Sequence, residues 1–362
     1  MTLDELLRVL RRTAAAADRW GEPDPAAIAA LRLSTVIGLA VPEEYGGEGG
    51  DAVSVNRAVE GVATADASTA IILAQHFAVT ARIVEHGSAE QRQNLLPRLA
   101  TGEWLAASAW SELGAGANKR RLSTTARRER DVWQVTGTKS FTTSSGIADL
   151  YLVLAQTGTV TDSAAYGSDA QTFLLIEAGR PGLTCTRGPE LTGMRGSATG
   201  FVELHDCEVS DGMRLGPEGG AAKIISEVRA SGYTLGAVSV GIAQAAYDTV
   251  HDLAARKGML AAQAVRHRLF DIAVQVETAR SVVERAGRRD SPDPGTVTLY
   301  SKVIASSVAE QVCREAQQLA GSAGFTRDHP IDRQSRDARA VSLMGPTNDL
   351  CRELVSISWG TA

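Results

Sequence analysis

Apolar positions in the first hundred residues recur every three or four places. Leu3, Leu6, Leu7 and Leu10 share one face, and a second stretch runs through Ile28, Leu31 and Leu33, the spacing of amphipathic helices. The cluster Val41-Pro-Glu-Glu-Tyr-Gly-Gly47 punctuates them as a turn. A further helix rich in Ala, Ile and Leu is predicted over Ala67–Glu85, ending at His86-Gly-Ser88, and Ser88-Ala-Glu-Gln91 reads as a capping box for the next. From about 106 to 215 the period changes. Val132–Val135, Leu150–Leu154, Thr172–Ile176 and Phe201–Leu204 are short β-branched or aromatic runs, with turn signals at Thr136-Gly137, Ser145-Gly146 and Pro181-Gly182. That pattern predicts an antiparallel sheet or small barrel, and the small polar residues 157–171 predict an exposed loop.

Beyond Ala221 the helical period returns, through Leu269, Ile272, Val276, Ala279 and Val283, then Ile304, Val308 and Val312. The segment Arg285–Gly295 between them holds two prolines, so no helix crosses it intact. Long amphipathic helices side by side predict an antiparallel bundle. The reading is an α+β chain in three blocks: helical over 1–105, β over 106–215, helical over 216–362.

Composition narrows the function classes. The 362 residues are 44% hydrophobic and 22% charged with a net charge of −5, which excludes a disordered chain and does not suit nucleic acid or an anionic membrane. Four widely separated cysteines predict reduced thiols. No apolar run is expected to reach transmembrane length, and Asp4 and Glu5 stand where a signal peptide needs basic residues. A soluble cytoplasmic protein is expected. The six histidines show no metal-site spacing, and there is neither a G-x-S-x-G elbow nor a G-x-G-x-x-G between strand and helix. No metal site is expected.

Two stretches remain. Ser111-Glu-Leu-Gly-Ala-Gly-Ala-Asn118, after Trp110, is followed by Gly137-Thr-Lys-Ser-Phe-Thr-Thr-Ser-Ser-Gly146. Small residues and hydroxyls at strand ends let a flat ring lie against backbone, with donors aimed at its edge. The second comprises Gln318-Leu-Ala-Gly-Ser-Ala-Gly324, Arg336-Asp-Ala-Arg339 and Met344-Gly-Pro-Thr-Asn-Asp349.

In this order, nearly the whole chain resembles the acyl-CoA dehydrogenase superfamily. The resemblance implies an N-terminal helical domain, a central β-domain and a C-terminal four-helix bundle, with FAD between the last two and a homodimer or homotetramer. FMN or a diffusible reduced flavin are the alternatives. Ser111 to Gly116 is similar to Thr-Glu-Pro-Gly-Ala-Gly, and Phe141-Thr-Thr143 to Trp-Ile-Thr, which places Trp110, Ser111, Phe141 and Thr143 at the flavin ring. Gln318 and Gly321 match the turn that holds a neighbouring subunit's FAD, and Thr347 belongs to the motif before the last helix.

Departures from the family pattern bear on activity. The family's base, a Glu that removes the α-proton of an acyl thioester while the β-hydrogen leaves as hydride, falls on Gly345. The alternative base position falls on Ser231, and the following Arg on Gly232. The arm reaching the FAD pyrophosphate is shortened between Arg256 and Gln263, and Cys351 replaces an amide. Glu227 and Asp349 are the surrogate candidates; Glu112 belongs to the flavin loop. The first reading is an oxidoreductase acting on a specialised acyl thioester, bound to CoA or a carrier protein. The second is a monooxygenase of the same fold, supplied with reduced flavin by a separate reductase, which needs no α-proton base. The third is a partner subunit without chemistry of its own.

Overall fold

A computed structural model describes residues 1–114, 122–159 and 170–360. The Ala115–Asn118 part of the glycine-rich stretch and most of the predicted 157–171 loop lie outside these residues. The first block holds α1 (Leu3–Trp20), α2 (Pro25–Leu33), α3 (Ala52–Ala65), α4 (Ala67–His86) and α5 (Ala89–Ala100). The Ser88/Gln91 capping box opens α5 as its sequence predicts, each side chain bonding the other's backbone N–H. Contrary to the sequence expectation, α4 is long and apolar enough to span a membrane by length and composition, with mean hydropathy 1.3 over its apolar window. Since 78% of that window is buried within the protein, α4 is a core helix.

The second block holds β1 (Ala106–Ala109), β2 (Thr125–Glu129), β3 (Val132–Thr142), β4 (Leu150–Gln156), β5 (Gln171–Glu177), β6 (Leu183–Arg187), β7 (Gly200–Ser210) and β8 (Arg214–Leu215). They form one sheet ordered β6-β7-β3-β2-β4-β5-β8, with β1 beside β4. Most pairings are antiparallel, as the short runs predict. Two are parallel, β1 with β4 along Ala106–Ala109 and β2 with β4 at Thr125/Gln156. Strand β4 is buried on both faces: Leu150, Leu152 and Leu154 pack with α4 and α5, while Tyr151, Val153 and Ala155 meet Trp133, Leu174 and Val202 inside the sheet.

The third block is α6 (Ala221–Ala230), α7 (Gly236–Arg256), α8 (Gln263–Arg288), α9 (Pro294–Ala320), α10 (Pro330–Leu343) and α11 (Asn348–Ser356). Helices α7 to α10 pack into the bundle. Val59, Val62 and Ala63 of α3 join Val240, Ala243 and Ala246 of α7, Ile272 and Val276 of α8 and Val312 of α9 in one core. The two helical blocks, separated in sequence by the sheet, share one hydrophobic interior.

Candidate active site

The small side chains of β1 let it lie between α4 and the rest of the sheet, and the chain leaving it carries the first site residues. Trp110 packs against Phe173 of β5, ring centroids 4.9 Å apart. The Ser111 carbonyl accepts from the Ser140 N–H at 2.8 Å, tying the exit of β1 to the end of β3. Glu112 turns inward. It accepts from the Ser123 N–H and hydroxyl, both at 2.6 Å, from the Thr124 N–H at 3.1 Å and from Lys139 Nζ at 2.7 Å. Burial works against its charge, but Lys139 and Ser123 outweigh that and hold the carboxyl at about 2. Burial lowers the Lys139 ammonium to about 8 despite the Glu112 charge, so the pair is ionic at neutral pH.

The end of β3 breaks its alternation. Pairing with β7 shifts register between Lys139 and Thr142, leaving Lys139 and Ser140 buried and turning the Phe141 ring outward, 53% exposed. Phe141 and Ser144 have φ of 51° and 65°, left-handed values that cost energy for residues with side chains. Thr143 is buried. The hydroxyls of Ser140, Thr142 and Ser144 are buried with no hydrogen-bond partner among the described residues. An outward aromatic ring beside neutral donors fits a flat heterocycle with a polar edge, so the residues present suit a flavin ring.

The 144–145 backbone bonds to the carbonyls of Ser197 and Ala198, and the same loop docks on α10, where the Met194 N–H donates to Asp337 Oδ1 at 2.5 Å. Burial pushes the Asp337 carboxyl up to about 7 from an ordinary 3.8, and the Met194 N–H only partly opposes this. Between those values the fold keeps a proton that the unfolded chain has released. The stabilisation is complete below 3.8 and is lost as pH rises through about 7. Asp337→Asn is therefore expected to flatten the fall in melting temperature across that window; an unchanged slope would show that the carboxyl is ionised in the fold.

In the bundle, α10 leads into the turn Met344-Gly-Pro-Thr347. Lys302 of α9 is buried and donates to the Met344 carbonyl and to Asn348 Oδ1, both at 3.1 Å. Ser306 bonds the same Asn348 at 2.9 Å, and the Cys351 thiol donates to the Pro346 carbonyl at 3.6 Å. The thiol packs inward. Burial lowers the Lys302 amine to about 8. Thr347 caps α11, its hydroxyl accepting from the Leu350 N–H at 3.1 Å. A Cβ built on Gly345 meets no heavy atom within 4 Å, and the backbone there is not left-handed. The turn is held firmly, with open space where a side chain would stand.

The remaining candidates sit elsewhere. Gln318 Oε1 accepts from Arg268 at 3.1 Å, and Gly321 closes α9 with φ 68°. Sixteen residues of helix separate Lys302 from Gln318, about 24 Å at 1.5 Å per residue, so one subunit does not bring Gln318 and the 344–347 turn together. Glu227 Oε2 lies 3.2 Å from His86 Nε2. Asp349 is 95% exposed and pairs with Arg352 at 2.7 Å. Asp349 is thus engaged by Arg352, whereas Glu227 only lies beside His86, whose ring burial holds below the ordinary imidazole range. The Ser231 hydroxyl donates to the Val228 carbonyl at 2.7 Å. Gly232 is left-handed, φ 80°, and a Cβ there would lie 2.7 Å from the Ala286 carbonyl; the buried Asn56 amide bonds its carbonyl at 2.9 Å. That turn has no room for a side chain. The shortened arm is a single turn, Met259–Ala261, between α7 and α8.

Sequence reasoning passed over Lys302. Its signal is a lysine set at helical spacing among Leu299, Ala305 and Ala309, on the buried face of α9.

Helices, then a sheet, then a helical bundle, with buried hydroxyls beside an outward aromatic ring at a strand end, suit the architecture of a flavin-dependent oxidoreductase. Family models of the N-terminal, middle and C-terminal domains of acyl-CoA dehydrogenase match residues 4–103, 107–207 and 219–358. A probable acyl-CoA dehydrogenase of Mycobacterium tuberculosis is 33% identical over 339 residues, covering 91% of this chain and 86% of the relative. Cyclohexane-1-carbonyl-CoA dehydrogenase of Geobacter metallireducens is 29% identical over 95% of this chain and 91% of its own. Among solved structures, butyryl-CoA dehydrogenase of Megasphaera elsdenii superimposes with a TM-score of 0.88 at 27% identity, over 99% of this chain and 97% of that one. The chain belongs to the acyl-CoA dehydrogenase family, whose cofactor is FAD.

Proposed function

We propose that this protein oxidises a specialised acyl thioester, carried on CoA or a carrier protein, without a carboxylate at position 345. The observation that carries the reading is the Met344–Thr347 turn. Lys302, Asn348 and Ser306 keep it in place, while Gly345 offers only space. Trp110, Ser111, Phe141 and Thr143 would hold the flavin ring; Gln318 and Gly321 would reach the dinucleotide of a neighbouring subunit, and Thr347 would shape the turn facing it. Bound FAD supplies acceptance of two electrons. The chain's own part is to orient the ring from Phe141 and the β3 hydroxyls and to exclude water with the apolar strand ends. A substrate whose α-proton is unusually acidic would need least help from a base.

The exposed side chains Phe325, Leu343 and Trp359, 86%, 75% and 73% exposed, support assembly as a homodimer or homotetramer, and we place the protein in the cytoplasm. The open space at Gly345 and the one-turn arm at Met259–Ala261 favour, as the second reading, hydroxylation by a reduced flavin that arrives from a separate reductase. Anaerobic bleaching of the FAD-loaded protein by a thioester supports the first reading, and oxygen consumption only with an added flavin reductase supports the second. Removing a ring-edge hydroxyl, Thr143→Val, is expected to weaken FAD retention by one hydrogen bond, about 0.5–1.5 kcal/mol. Unchanged FAD content after dialysis would move the ring away from Thr143.

A further inference from the structure

Arg82 lies on α4, one turn from its C-terminus, with its side chain 2% exposed. Its Nε donates to Glu85 Oε2 at 3.0 Å, but Nη2 is buried and has no acceptor among the described residues. A guanidinium cannot shed its proton to escape burial, and a buried donor without an acceptor is costly. Packing alone would be better served by a hydrocarbon. Its neighbours indicate what it faces. On the same helix end, His86 lies against Glu227 of α6. Tyr233, half-buried in the turn between α6 and α7, has its phenol held above the ordinary value first by burial and then by Glu85, with Arg82 and Arg289 acting oppositely and Asp51 adding to the rise. The end of α4 thus meets α6 through His86 and Glu227, and the turn that follows α6, Ser231-Gly232-Tyr233, supplies hydroxyls and backbone but no charge.

We infer that Arg82 is a specificity residue, its free guanidinium edge receiving a carboxylate on the acyl group of the thioester substrate beside Tyr233. The inference rests on the acyl-thioester reading and adds the substrate class, a short acyl group ending in a carboxylate. A planar group with acceptors only matches the donor fork of arginine, whereas a hydrocarbon chain would leave Nη2 unpaired.

Calorimetric titration of the FAD-loaded protein with butyryl-CoA, 3-hydroxybutyryl-CoA and succinyl-CoA tests this. Succinyl-CoA should bind at least about tenfold more tightly than butyryl-CoA, as expected for hydrogen bonds to a charged group. Arg82→Met should bring the ratio to near one by weakening succinyl-CoA. If that variant does not fold, Arg82→Lys carries the test, because it keeps the charge and loses the fork; the ratio should then fall severalfold. Equal binding of all three esters, or a ratio untouched in the variant, would overturn the inference and leave the thioester reading standing. An Arg82-dependent preference for the hydroxy ester would overturn the carboxylate assignment. Binding of none of them would overturn the inference and remove CoA, though not a carrier protein, as the handle of the thioester.

Discussion

Gly345→Glu is expected to create or raise oxidation of straight-chain acyl-CoA, because a positioned general base contributes about 10²–10⁴-fold. The new side chain enters open space on a backbone with ordinary φ, so the turn need not move to admit it. Lys302 and Asn348 already fix the turn on either side. The gain should lie toward the lower end, since Gly232 carries no side chain and cannot supply a second charged group. Steady-state rates with butyryl-CoA, measured on both proteins at equal FAD content, check the expectation. If the native activity disappears and none replaces it, the space over the flavin serves oxygen chemistry and the second reading gains.

The second large effect concerns stability. Lys139 and Glu112, 2.7 Å apart and almost wholly buried, are the ionic centre of the loop that carries Ser111. Lys139→Met leaves an ionised carboxylate with only its Ser123 and Thr124 donors, and breaking a buried pair from one side costs about 3–5 kcal/mol. Denaturant unfolding should show that loss. Replacing both residues with apolar ones should recover much of it, because no unpaired charge remains. The pair also predicts acid behaviour. The Glu112 carboxyl, held at about 2 against an ordinary 4.5, contributes stability that is present above 4.5 and is lost as pH falls through about 2. If Lys139→Met unfolds at the same denaturant concentration as the unaltered protein, the pair is not the anchor of this loop.

What could be read from the sequence follows the range of the physics involved. Helix periodicity and the Ser88/Gln91 box are local signals and appear where the pattern places them. Strand β1, made of Ala106, Ala107, Ser108 and Ala109, was not legible, because it lacks β-branched residues and becomes a strand only through its parallel pairing with β4. The apolar length of α4 was underrated, and its run is covered by other elements of the protein. Among the candidate flavin contacts, Trp110, Ser111, Phe141 and Thr143 lie in or beside strand ends and are proposed from motif alone. The pairs Glu112 with Lys139 and Lys302 with Asn348 could not be read so, since each is joined only by the tertiary fold. Ser231 and Gly232 are legible as departures from the family pattern; why no side chain fits at Gly232 emerges only with the Ala286 carbonyl and Asn56 packed against it.

The claim that a chain without a carboxylate at position 345 leaves ordinary acyl groups unoxidised, and so serves a specialised thioester, is tested most directly by one anaerobic measurement. The unaltered FAD-loaded protein is mixed with butyryl-CoA under nitrogen, and the visible absorbance of the oxidised flavin is followed in a stopped-flow instrument. The account predicts little or no bleaching, because nothing at Gly345 can take the α-proton of an unactivated acyl chain. Rapid and complete bleaching would contradict it, showing that another group of this chain serves as the base.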